Sequence, residues 1–255
     1  VVGYLASLAF GAPFAWPFDC CVNAGGVVVD EALRPPLDGR RRVVVMQHGI
    51  WRSSLALWRL ERTLQAHGYE VHNLDYPSTM ACIEEHAERL AAGVEAIYAT
   101  GPVDELSFVG HSMGGLVIQQ YLRSRGARTP TNCVYIATPH RGAMLADLRK
   151  HWFLFRLGMG SEAALQLSPG DPIHARPLPT VGRSGTLVGN VGEGNASIPG
   201  ADDGTVAVGE ATFPGAADSV ELPLGHTAIA YDPTAVRQVL HFLRWGAFAP
   251  AAAAR

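Results

Sequence analysis

Charge is scarce in this 255-residue chain: Asp, Glu, Lys and Arg make up 17% of it and leave a formal net charge of −3. No basic stripe of the kind that neutralises nucleic-acid phosphates is present. The short run Arg40-Arg41-Arg42 stands directly before an apolar segment, as a solvated strand entrance does. Nucleic acid is therefore not an expected partner. Cysteine is scarce too. The four residues, Cys20, Cys21, Cys82 and Cys133, form no Cys-x-x-Cys pair and no His-x-x-x-His accompanies them, so the spacing of a zinc site is missing. A disulfide between the adjacent Cys20 and Cys21 would be strained. Cys133 opens an apolar run and reads as a small core residue. Neither a metal nor a cofactor is expected. The low charge goes with 48% hydrophobic residues, which argues against disorder and supplies a large core.

Long apolar runs are also rare. Only Val1 to Phe18 approaches the length of a membrane span, and Gly3, Gly11, Pro13 and Pro17 interrupt it. Residues 1–36 therefore leave two readings open. One is an arm packed on the domain. The other is the remnant of a signal or anchor whose positively charged part lies upstream of Val1, which would bring the chain into membrane contact. Compartment, whether bacterial cytoplasm or cell envelope, and oligomeric state leave no mark in the sequence.

What remains alternates short apolar runs with longer amphipathic ones. Val43-Val44-Val45-Met46 is β-branched and continuous, as a strand buried on both faces should be. A helix over Ser53–His67 carries Leu57, Leu60 and Leu64 on one side and stops at Gly68. Further strands are expected at Tyr69–Leu74, Glu105–Val109, Asn132–Ala137, Gly185–Asn190 and Ser219–Leu222. Helices are expected at Ile83–Tyr98, Leu116–Arg125 and Pro233–Trp245. This order predicts an α/β fold with a mostly parallel central sheet and helices on both faces. One domain is expected over 37–248. Within it, residues 138–180 leave the sheet as a cap or lid around the cluster Trp152-Phe153-Leu154-Phe155, and 249–255 form a disordered tail.

The chemistry is concentrated in Gly110-His111-Ser112-Met113-Gly114, a Gly-x-Ser-x-Gly sequence between a predicted strand and a predicted helix. That context lifts a serine hydroxyl above a sheet on a sharp turn, with glycines allowing the close approach. Ser112 is the expected nucleophile. In this arrangement the partners follow in the order Ser, acid, His. His226, after the last strand, is the expected base, whereas His241 lies inside the closing helix and His140, His151 and His174 precede any acid candidate. The acid falls within Asp202-Asp203-Gly204. Asp203 is the expected partner and Asp202 a turn residue. A developing oxyanion needs preformed N–H donors, expected from the backbone of Met113 and of Ile50, the latter in Gln47-His48-Gly49-Ile50. His48 reads as a buried side chain bonded to its own loop.

Together, Gln47–Ile50, Gly110–Gly115, Thr138–Gly142, Asp203–Val206 and Leu222–His226 resemble the α/β-hydrolase superfamily, and more narrowly its bacterial lipase and esterase branch. The resemblance runs from about Val43 to Phe248 and implies an esterase or lipase acting through an acyl-enzyme on a small-molecule ester or lipid. Thr138-Pro139-His140-Arg141-Gly142 resembles the strand end that leads into a lid in such relatives, and Trp152 and Phe155 are then candidates to line the substrate site. Thioesterases, amidases and acyltransferases use the same three residues. A non-catalytic binding protein on this scaffold would normally have lost one of them, and all three are present.

Overall fold

The computed structural model of the protein describes residues 26–149 and 162–250. Its first strand is β1 (Arg42–Gln47), every residue of which is buried. Val43 and Val45 face one side of the sheet and Val44 and Met46 the other, so the continuous apolar run serves two cores at once. Around β1 lie β2 (Glu70–Asn73), β3 (Glu105–His111), β4 (Asn132–Ile136), β5 (Arg183–Gly189) and β6 (Asp218–Leu222). The six strands are all parallel in the order β2-β1-β3-β4-β5-β6.

The helices divide between the two faces. Leu60 and Leu64 of α1 (Trp58–Ala66) join Val236, Val239 and Leu240 of the closing helix in covering Val44, Met46, Val109 and Val134. Leu90 and Val94 of α2 (Ile83–Ala99) join Val117 and Ile118 of α3 (Met113–Arg123) over Val43, Val45, Phe108 and Cys133. Each fully buried side chain of this size contributes about 2 kcal/mol, so the two clusters hold the sheet between helical layers. Burial pushes the Cys133 thiol up to about 12, in keeping with a core role.

Local sequence sets the helix ends. Gly68, at φ +91°, follows α1 where the period stops. In the closing helix (Pro233–Trp245), Asp232 accepts from the Thr234 N–H at 2.7 Å, Pro233 takes the first position and Gly246, at φ +75°, ends it.

Of the boundaries that differ from expectation, three have a clear structural cause. β3 continues through Gly110 and His111, which pair with Tyr135 and Ile136. α3 therefore starts at Met113 rather than Leu116, because the turn between them is a single residue. Ala249, expected in a disordered tail, is buried. The Gln238 amide holds it at both ends, donating to the Ala249 carbonyl at 3.2 Å and accepting from its N–H at 2.7 Å. Residues 251–255 lie outside the described residues, as do Cys20, Cys21 and most of the N-terminal arm. Of that arm, Leu33 is buried in the cluster containing the closing helix.

Between β4 and β5 the chain leaves the sheet. It forms α4 (Met144–Arg149), α5 (Glu162–Gln166) and a 3-10 turn at Pro172–Ala175. Trp152 and Phe155 lie outside the described residues. Among the described residues no helix is long and apolar enough to cross a membrane.

Candidate active site

β1 is the point where the strand order reverses: β2 lies on one side of it and β3 on the other. Chains leaving the carboxyl ends of β1 and β3 therefore diverge, and the crevice between them is where open α/β sheets place ligands. Gly49 and Ile50 leave β1 here, and Ser112 leaves β3.

Ser112 sits at φ +54°, ψ −127°, a conformation that costs a non-glycine residue on the order of 1–3 kcal/mol. Tight packing holds it there. The Ser112 N–H donates to the Ile136 carbonyl at 2.8 Å, and its own carbonyl accepts from Gly115 at 3.0 Å. A Cβ on Gly110 would come within 2.6 Å of the Gly115 backbone, and one on Gly114 would overlap the Gln47 carbonyl. The glycines of the motif are there because backbone meets backbone at this turn.

His226 comes from the loop after β6 and Asp203 from the loop after β5. The Ser112 Oγ is 3.0 Å from His226 Nε2, and His226 Nδ1 is 2.7 Å from Asp203 Oδ2. The other Asp203 oxygen accepts from the Thr205 and Val206 N–H groups at 2.9 and 2.7 Å. The His226 N–H donates to the Asp203 carbonyl at 2.8 Å, tying the two loops together. The Asp203 side chain is 1% exposed and that of His226 14%, so the carboxylate is sealed from water while the imidazole can be reached. A cavity of about 350 Å³ opens beside Ser112, with Ile50, Pro139, Leu145, Ala146, Leu167 and Val206 among its apolar walls.

A model of the alpha/beta hydrolase family matches residues 43–253. The chain belongs to that family.

Solved structures agree on the fold of this alpha/beta hydrolase. The mature form of the Bacillus licheniformis lipase BlEst2 superposes with a TM-score of 0.60 at 20% identity, over 82% of this chain and 94% of that one. The propeptide form of the same lipase gives 0.66 at 23% identity, over 89% and 54%. A metagenomic carboxyl esterase, MGS0156, gives 0.55 at 17%, over 88% and 78%. None of the curated proteins compared with the chain matches it.

The other residues named from sequence divide between the site and its surroundings. The Ile50 and Met113 N–H groups are not used by another group among the described residues. Asp202 is fully buried in a turn, accepting from the Gly204 and Asn195 N–H groups at 2.5 and 3.1 Å. His241 bonds to the Ala247 carbonyl at 2.7 Å and not to the serine. His48 is buried, its Nδ1 2.9 Å from the Gly49 carbonyl and its Nε2 2.9 Å from Asp75.

Two supports escaped the sequence reading. His111 Nε2 donates to the His226 carbonyl at 2.9 Å, so the residue before the serine steadies the loop that carries His226. Burial holds the His111 pKa down to about 3, with the nearby His226 adding to the effect, which keeps the ring neutral. Arg52 Nη2 donates to Thr227 Oγ1 at 2.8 Å, linking the loop after β1 to the loop after β6. Neither has a sequence signal: His111 fills a variable position of the motif, and Arg52 meets its partner 175 residues away.

Proposed function

We propose that this alpha/beta hydrolase is a serine carboxylester hydrolase of esterase or lipase type. The observation that carries the reading is the continuous chain of contacts from Ser112 Oγ through His226 to Asp203, opening onto a largely apolar cavity. Ser112 is the nucleophile. His226 Nε2 takes its proton as Oγ attacks the ester carbonyl, then returns it to the departing alcohol. Asp203 fixes the imidazole with its hydrogen on Nδ1 and stabilises the charge that develops on the ring. The Ile50 and Met113 N–H groups are the oxyanion donors, and neither is used by another group among the described residues. Water activated by His226 then releases the acid from Ser112.

The apolar walls favour an acyl chain over a polar group. The test is covalent labelling with a fluorophosphonate probe, followed by turnover of nitrophenyl esters of increasing chain length. Labelling lost in Ser112→Ala, with turnover of at least one ester, is expected. An unlabelled wild-type protein, or one that cleaves thioesters or amides but no oxygen ester, would overturn the reading.

A further inference from the structure

The loop that carries Ile50 is held by a second histidine–aspartate pair, one the proposed reaction does not use. His48 is wholly buried. Its Nδ1 is 2.9 Å from the Gly49 carbonyl, which can only accept, so this nitrogen carries a hydrogen and donates it. Its Nε2 faces Asp75 Oδ1 at 2.9 Å. Asp75 is anchored in turn by the Ser54 N–H at 3.0 Å. The carboxyl of Asp75 is held below its ordinary value: burial works to raise it, and the contact with His48 together with the Ser54 and Tyr76 N–H groups outweighs that.

The Gly49 carbonyl and the Ile50 N–H belong to one planar trans peptide, in which the two bonds point in opposite directions. Fixing the carbonyl oxygen therefore fixes the N–H. The neighbouring peptide is fixed by the same cluster, because the Tyr76 hydroxyl donates to the His48 carbonyl at 2.7 Å. Tyr76 also stacks on the His48 ring, centroids 4.3 Å apart. Both peptides flanking Gly49 are thus clamped at their oxygens. Gly49 needs a clamp because it packs against the elbow so tightly that a Cβ there would lie 3.0 Å from that of Ser112.

We propose that His48, backed by Asp75, is a positioning residue that aims the Ile50 N–H at the oxyanion. This rests on the serine-hydrolase reading above. It predicts a defect confined to the transition state, since the ester carbonyl of the ground state needs the donor far less.

The experiment compares wild type, His48→Phe, His48→Asn and Asp75→Ala on nitrophenyl butyrate, with an alkylboronic acid as the tetrahedral mimic. Phe keeps the ring on Tyr76 and removes the donor. Asn places an amide hydrogen close to the position of Nδ1. Loss of one oxyanion donor costs about 100-fold in kcat. His48→Phe is expected to show a loss of that order, with KM little changed and boronic acid binding weakened in proportion. His48→Asn should recover much of it, and Asp75→Ala should fall in between. Wild-type kcat in a folded His48→Phe overturns the proposal. So does a loss spread over kcat, KM and thermal midpoint together with no recovery in His48→Asn. If His48→Phe does not fold, Asp75→Ala decides: lower kcat at constant KM supports the proposal and unchanged kcat overturns it. A wild-type protein that neither reacts with fluorophosphonate nor binds the boronic acid would instead remove the parent reading.

Discussion

Asp202 and Asp203 are adjacent in the chain, yet their carboxylates serve different networks: Asp203 holds His226 at 2.7 Å, while Asp202 closes its own turn through Gly204 and Asn195. One residue of displacement separates a group that contacts the His226 imidazole from a group that shapes the loop. Asp203→Asn should therefore lower kcat strongly, since in a comparable triad the same change costs ~10⁴. Asp202→Asn should act on stability more than on kcat. Kinetics and thermal midpoints of the two variants check this, and a larger kcat loss in Asp202→Asn would reverse the assignment.

Ser112→Ala should lower kcat by several orders of magnitude, because the proposed acyl-enzyme has no other oxygen to form on. Its fold should be at least as stable as that of wild type, since Ala removes a hydroxyl and keeps the same turn. A purified Ser112→Ala protein with ordinary ester turnover would contradict the role given to it.

Gly114→Ala tests the packing at the elbow. The new Cβ would overlap the Gln47 carbonyl and come within 2.5 Å of that of His48. Overpacking of this kind costs ~3 kcal/mol. Gly209→Ala, where a Cβ meets nothing within 4 Å, should be neutral or stabilising. Chemical denaturation of both variants measures the difference, and equal stabilities would mean that the elbow can relax.

Acid should destabilise the fold through its buried histidines. Burial holds His86 down to about 4, and His111 and His140 down to about 3. Unfolded histidine titrates near 6.5, so the unfolded chain binds protons that the folded one refuses. Their contribution is whole above that pH and is lost as pH falls through 6.5 towards 4 and 3. Each ring adds up to about 1.4 kcal/mol per pH unit to the slope. Both ring nitrogens of His86 are buried without a partner among the described residues. In His86→Leu the gain in thermal midpoint over wild type should be larger at pH 5 than at pH 7.5. An equal difference at both would show that His86 does not set the slope.

How much of this was legible beforehand depends on how local each signal is. Ser112 was legible because a strand, two glycines and a helix all lie within a few residues of it. His226 was legible by its place after the last strand. Asp203 was harder, since either aspartate suits a turn and only the fold decides which carboxylate reaches the imidazole. The end of β3 was misread by two residues, because Gly110 breaks the apolar run although its backbone still completes the ladder with Tyr135. The contacts of His48 with Asp75 and of Arg52 with Thr227 join residues 27 and 175 positions apart, and no periodicity reports a pairing of that kind.

The placement of β6 has its own effect on how the protein loses activity. β3, which carries Ser112, is buried in the middle of the sheet, whereas β6, which leads to His226, is an edge strand whose residues alternate between half-buried and exposed over most of its length. Edge elements open at lower free energy than the centre. Under mild denaturant the margin carrying the base is thus expected to fray while the helical layers around β1 and β3 stay protected. On the proposed reading, hydrolysis would then cease before the bulk of the amide hydrogens exchange, leaving a nearly intact protein whose serine has lost its contact with His226.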